Sequence, residues 1–333
     1  MEKEVVRLNA ALPSFAEAVQ TYERLTGVGI SDTSGWRRTQ KYGQRLMEVR
    51  GEEAERAWEM MGRGESVPGE ESEAVRRGVA LDGTTVNIRE EGWKEVKVGC
   101  VFEFEVEEGE ISSEKDEEEK VRSKNLSYCA HLGAVEGFGR VQWAEAVRRG
   151  VPRSRDQVVL GDGATWIWNL AADCYPDSVR IVDWYHAMEH LWRAANAVYG
   201  QGTQEARRWV KRREEELARG EVHKVIRALE QVAEVELVQI KGEEAVGSEL
   251  QQDLLKEASY FRSNARRMRY QEFREEGYPI GSDMVESGCK NLVGARLKGP
   301  GMRWSRPGAE RMLALRSEFL SGRWDEAWQL MAA

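Results

Sequence analysis

Three carboxylates stand where ordinary folding does not need them. Asp82 interrupts the apolar, strand-like segment VALDGTTV, and Asp162 ends a second apolar run, VVLGDGA. A charged group in such a setting costs free energy unless it is paired or bound to a metal. Taken singly, each Asp is also readable as a turn or helix-capping residue. Glu286 follows far downstream in GYPIGSDMVESG. Three converging carboxylates repel one another and take up protons, and a hard divalent cation with oxygen preference relieves that repulsion. Magnesium is the expected occupant, with manganese as a substitute. Two such ions about 3.5 to 4 Å apart can activate an attacking oxygen and stabilise a leaving one during in-line phosphoryl displacement.

The surrounding periodicities say what must position these groups. Residues 1–75 carry helix-like spacing, as in Phe15, Val19, Tyr22 and Leu25, with a break at Gly27-Val28-Gly29 and a second helix from about Asp32. Such a pair serves either as a helix-turn-helix for DNA or as part of a plain bundle. From Gly78, VALDGTTVNIR and WKEVKVGCVFEFEV alternate as a hairpin about Glu90-Glu91-Gly92. NLSYCAHLGAV predicts a third strand and GRVQWAEAVRRG a helix. VVLGDGATWIWNLAA and SVRIVDWYHAMEHLWRAANAV each predict a strand followed by a helix. Residues 76–199 therefore form the first part of an α/β domain with a mixed sheet. Residues 200–276, rich in Ala, Leu, Glu, Lys and Arg, predict an all-α insertion, and residues 277–333 return to the core with the Glu286 helix and a basic terminal segment. A ribonuclease-H-like core has this order, with one carboxylate on the first strand, one after the fourth and one on a later helix.

Bulk properties leave room for that reading. The net charge of −9 over 333 residues runs against a nucleic-acid ligand, whose affinity comes from Lys and Arg releasing counterions. The charge is unevenly spread, however. Glu103 to Glu119 holds ten acidic residues and one Lys, which reads as an exposed loop, whereas Ser259 to Arg323 holds thirteen basic residues against seven acidic. Arg296, Lys298, Arg303 and Arg306 are the candidates for phosphate contacts, set against the reading of a solvated face. The four cysteines form no CxxC pair and read as reduced thiols, mostly buried. No apolar run approaches the roughly 20 residues of a membrane span, so no membrane partner and a cytoplasmic, nucleoid-associated location are expected.

LDGTTVNIREEGWKEVKVGCVF, VVLGDGATWIWNLA, VDWYHAMEHLWRAA and GYPIGSDMVESGCKNLVGARLKGPGMRWS together resemble the ISKra-type insertion-sequence transposases of the DDE (Asp-Asp-Glu) class, from about Phe15 to about Arg316. The resemblance implies that Asp82, Asp162 and Glu286 are the catalytic metal ligands, Asp82 bridging two magnesium ions. It also implies a helical insertion before the glutamate, as in Mutator-like transposases, and an Asp-x-x-His pair at Asp183 and His186. The partners implied are the double-stranded DNA of transposon ends and target, bound by a homodimer. Asp283 departs from the family pattern, standing where a Gly is expected, and the resemblance implies that the sequence starts inside the family pattern, after most of the upstream region.

Two other readings stay open. One is a truncated or domesticated, catalytically silent DNA-binding protein. The other takes His186 to His190 as the HxxEH signature of a zinc metallopeptidase, which leaves Asp82, Asp162 and GYPIGSDMVES without a role. Trp166, Trp168, Trp184 and Trp192 are expected mainly in the core, with stacking on a flipped base as the alternative. Gly281, Gly288, Gly299 and Gly301 suit tight turns and close backbone approach.

Overall fold

Alternation in the middle of the chain builds a five-stranded mixed sheet, seen in a computed structural model that describes residues 1–65, 75–106, 121–154, 156–239 and 244–332. Most of the predicted acidic loop, residues 107–120, lies outside the described residues. The strands are β1 (Arg76–Ile88), β2 (Gly92–Val106), β3 (Val121–Leu132), β4 (Gln157–Gly161) and β5 (Val179–Val182), in the spatial order β3-β2-β1-β4-β5. The first three are antiparallel, and β4 and β5 run parallel to β1. Ile88 pairs with Gly92 across the predicted turn, where Glu90 and Gly92 both take positive φ.

Helices cover both faces of the sheet. Residues Val96 to Phe102 of β2 are buried without a break, so neither side of that strand meets water. Adjacent strand residues point to opposite faces. Gly99 faces Phe138 and Gln142 of α4 (Val135–Arg148), while Val98 faces Gly288 at the end of α11 (Asp283–Gly288). Between these helices in the chain come α5 (Thr165–Cys174), α6 (Trp184–Tyr199), α7 (Gln204–Ala218), α8 (Val222–Gln239), α9 (Glu244–Asn264) and α10 (Tyr270–Glu275). The chain between residues 204 and 275 is thus helical wherever it is described apart from its connecting turns, and Tyr270 ties α10 back to the sheet by donating to the carbonyl of Val182 at 3.0 Å.

The amino-terminal helices α1 (Glu2–Ala11), α2 (Phe15–Thr26) and α3 (Asp32–Gly62) share a core with the end of the chain. After α11 the helix passes through a π-helical turn, Cys289–Gly294, into α12 (Ala295–Leu297), followed by α13 (Arg306–Leu320) and α14 (Trp324–Ala332). Val6, Tyr42 and Leu46 pack with Leu315, Trp324 and Met331. Cys100, Cys129 and Cys174 are buried and Cys289 is partly buried, all four with free thiols. Among the described residues, no helix is long and apolar enough to cross a membrane.

Candidate active site at the strand ends

Register places three aspartates in one row. Leu81 of β1 pairs with Gly161 of β4, and Gly161 pairs with Val182 of β5. Asp82, Asp162 and Asp183 each follow one of these residues, on three neighbouring parallel strands about 4.8 Å apart. This is the carboxyl-end edge of the parallel strands, where open α/β sheets bind ligands.

The three have different roles. Asp183 is fully buried, and both of its oxygens are committed: Oδ1 accepts from the His186 amide at 2.7 Å and Oδ2 from the Ser282 amide at 2.5 Å. It caps α6 and also clamps the segment that begins α11. Trp184 strengthens the clamp by donating its amide to the Ile280 carbonyl at 2.9 Å. The Asp183–His186 pair singled out in the sequence is therefore joined through backbone, with the His186 ring turned to Glu189 at 3.6 Å. Asp183→Ala removes a cap and orphans a buried amide, worth together about 2–4 kcal/mol. The expected result is a matching fall in unfolding free energy by urea titration, with new proteolytic cleavage between Gly277 and Asp283.

Asp82 and Asp162 remain partly open. Asp82 Oδ1 accepts from the Gly83 amide at 2.6 Å, and Oδ2 accepts from the Cys289 thiol at 3.2 Å. Burial pushes the Asp82 carboxyl above its ordinary value and the charge of Asp162 pushes the same way, outweighing the Cys289 and Gly83 hydrogen bonds and the charge of His186. Asp162 Oδ1 accepts from the Ala164 amide at 2.8 Å, an Asx turn that opens α5. Its backbone carbonyl accepts from the Tyr260 hydroxyl of α9 at 2.9 Å. Gly163 lies at φ +101°, and a Cβ there would come within 2.6 Å of the Tyr260 ring, so only glycine fits beneath that tyrosine.

Glu286 sits one helical turn before Cys289, the residue bonded to Asp82, and α11 carrying it packs on β1, β2 and β3. Lys290 approaches its Oε2 at 3.3 Å. Asp283 lies on the same face three residues earlier and is exposed. Burial and the charges of Glu286 and Asp183 hold the Asp283 carboxyl above its ordinary range.

The donor set is all oxygen on the carboxylates, the chemistry that suits a hard divalent ion. Among the described residues, no three Asp, Glu, His or Cys side chains stand close enough together to enclose an ion as they are placed. Asp82 lies within electrostatic reach of Asp162, and Glu286 lies within reach of Cys289, the residue that donates to Asp82.

The basic candidates separate. Arg303 is exposed and makes no ion pair among the described residues. Lys298 donates to Thr84 Oγ1, two residues from Asp82. Arg306 is neutralised by a two-pronged pair with Glu91, at 3.0 and 2.6 Å. Arg296, a candidate phosphate contact, is only 1% exposed, with its guanidinium over the rings of Phe15 and Trp304, so the alternative reading of a solvated face does not hold for it. Of the tryptophans, Trp168 is buried, Trp184 packs edge-on against Tyr270, Trp166 is packed against the core, and Trp192 is 37% exposed. In the HxxEH helix, His190 stacks on Tyr260 with ring centres 3.5 Å apart, and its Nδ1 lies 2.5 Å from Glu257.

Cys289 and Tyr260 are the contributors that sequence reasoning missed. No family model matches the chain, and no curated protein matches it.

Proposed function

We propose that the chain is a DDE-class DNA transposase with a ribonuclease-H-like core, cutting and joining DNA with Asp82, Asp162 and Glu286. The observation that carries this reading is the placement of Asp82 and Asp162 one residue past the same register pair on neighbouring parallel strands, with the Glu286 helix packed over β1. The strand order, with three antiparallel strands followed by two parallel ones, supports the same core. The helical run between residues 204 and 275 supports the reading of a Mutator-like insertion ahead of Glu286.

Asp82, Asp162 and Glu286 would hold two magnesium ions, which when bound supply charge neutralisation to the scissile phosphate and lower the pKa of an attacking water or hydroxyl. The chain's own groups prepare the ligands. The Gly83 amide and Cys289 thiol fix the Asp82 carboxylate, the Ala164 amide orients Asp162, and Asp183 anchors the segment from which the Glu286 helix starts. In the first step a water oxygen bonds to phosphorus, the bond from phosphorus to the 3′ oxygen breaks, and the strand leaves as a 3′ hydroxyl. That hydroxyl then attacks a target phosphodiester and displaces its 3′ oxygen, so phosphodiester bonds are exchanged without a covalent enzyme intermediate. Duplex DNA is the partner, and a dimer would pair two ends.

The test is incubation of the full chain with a labelled duplex carrying the element's flanking ends. Nicking that needs magnesium or manganese and stops with chelator is expected. Tight, metal-independent binding without nicking would transfer the assignment to a silent DNA-binding protein, and an absence of both would remove the transposase reading.

A further inference from the structure

A second site lies at the far end of β1. Trp304 continues the sheet there: it forms a bridge with Ile88, its amide donates to the Asn87 carbonyl at 3.1 Å, and its carbonyl accepts from the Arg89 amide at 2.8 Å. The loop that ends at Trp304, the start of α13 and helices α2 and α3 line an open cavity of about 470 Å³. Its walls include Phe15, Trp36, Arg89, Arg296, Arg303 and Trp304, with three guanidiniums and no carboxylate.

Among the described residues, two buried donors of these wall residues have no acceptor. Trp304 is 8% exposed and its only polar side-chain atom, Nε1, has no partner there; Arg296, 1% exposed, donates Nε to the Asn9 carbonyl at 3.2 Å but leaves Nη2 unpartnered. A buried donor left unpaired costs about 1–3 kcal/mol, which the fold carries without return unless an acceptor arrives. The Arg296 guanidinium is pushed down to about 10 by burial and by the neighbouring charge of Arg316, which donates only to backbone carbonyls. It stays charged at neutral pH, so an anion would relieve both repulsion and desolvation. Among the described residues the Arg89 side chain bonds only to the Arg303 carbonyl, and neither it nor Arg303 is ion-paired. The amino terminus of α13 adds its positive dipole end to the same wall. Trp36 is 44% exposed at the cavity, a large apolar face left in water.

We infer that this cavity binds a nucleotide unit, its phosphate held by Arg89, Arg303 and the orphaned donors of Arg296 and Trp304, and its base stacked on Trp36. The unit is either part of a DNA strand or a free nucleoside phosphate, which share this chemistry. The strand source rests on the transposase reading. Ile88 is six residues beyond Asp82 on β1, about 20 Å at the usual rise, which equals roughly six steps of a B-form strand. A strand held here would be anchored at a fixed spacing from the carboxylates.

The test is fluorescence anisotropy of the full chain with a labelled single-stranded deoxyoligonucleotide in chelator, so that binding is read without cleavage. Deoxynucleoside monophosphate and inorganic phosphate serve as competitors. Trp36→Ala and Arg303→Ala, both at exposed positions, should each weaken binding roughly tenfold, while Lys211→Ala, at an exposed position on α7 outside both sites, should bind as the parent does. Equal competition per site by the mononucleotide would name the free nucleotide as the source, and weak competition the strand. Parent-like binding by both variants would overturn the site, as would competition by phosphate alone that Trp36→Ala leaves unchanged. If the parent never nicks DNA but this binding is present and lost in the variants, the site stands and the nuclease reading falls.

Discussion

Asp162→Asn and Glu286→Gln should each lower metal-dependent nicking by at least about a thousandfold while leaving the melting temperature of the metal-free protein within a few degrees of the parent. Removing a ligand forfeits several kcal/mol of transition-state charge stabilisation, and about 4 kcal/mol corresponds to a thousandfold in rate. Both side chains are partly exposed and make few bonds: Asp162 accepts from one amide, and Glu286 meets Lys290. Folding therefore has little to lose. Asp82→Asn should behave differently in one respect. Burial and the charge of Asp162 both disfavour ionised Asp82 in the folded state. A carboxyl raised in this way contributes stability at low pH that is lost as pH rises through its folded value. At neutral pH the amide removes that penalty, so the metal-free Asp82→Asn protein should melt at or above the parent while its nicking is abolished. Adding magnesium should raise the parent's melting temperature and leave the variant's unchanged, because a ligand stabilises only the form that binds it. Nicking by Asp162→Asn at more than a tenth of the parent rate would exclude the three-carboxylate mechanism.

How far the sequence disclosed this arrangement depends on the range of each interaction. The hairpin and the apolar runs ending at Asp162 and Asp183 were readable because alternation and turn chemistry are local. That the row is shared among Asp82, Asp162 and Asp183 follows from register, which pairs residues about eighty and twenty positions apart and leaves no local trace. Asp183 illustrates the point: the family resemblance implied a pair with His186, yet the same spacing fits a helix cap, and the Ser282 amide that uses its other oxygen is 99 residues away. Cys289 and Tyr260 reach the site from 207 and 98 residues away, so composition and periodicity could not have attached them to Asp82 or Asp162. Arg296 was expected among the phosphate contacts because it lies in a basic, Arg-rich segment. Phe15 and Trp304 bury it instead, and only their packing reveals that it faces a cavity.

The same long-range logic governs the largest stability effect. Glu145 of α4 is 2% exposed and accepts from both Arg323 Nη1 at 2.7 Å and Nη2 at 2.9 Å, and from Arg148 at 2.5 Å. Glu318, 4% exposed, accepts from Arg323 Nε at 2.9 Å and Arg50 Nε at 2.7 Å. This chain of charges ties α3 and α4 to the turn between α13 and α14. Removing Glu145 leaves two nitrogens of the buried Arg323 guanidinium without an acceptor and its charge offset by Glu318 alone, which costs about 3–5 kcal/mol. Glu145→Ala should lose that much, a fall in melting temperature of roughly 4–7 °C for a chain of this size. Glu145→Met with Arg323→Met should recover part of the loss, since apolar replacement of a buried pair removes its desolvation cost. A double-mutant cycle should then give a coupling above about 1 kcal/mol, and purely additive losses would show that the pair acts independently. The acid limb reports the other carboxylate. Burial alone would raise Glu318, but the charges of Arg323 and Arg50 outweigh it and hold its carboxyl below the ordinary value. Its contribution is therefore complete above the unfolded value of about 4.3 and lost as pH falls through the lower folded one. Glu318→Gln should be destabilised at neutral pH and should show a shallower loss of stability below about pH 4; parallel acid profiles for variant and parent would remove Glu318 from the groups whose protonation unfolds the protein.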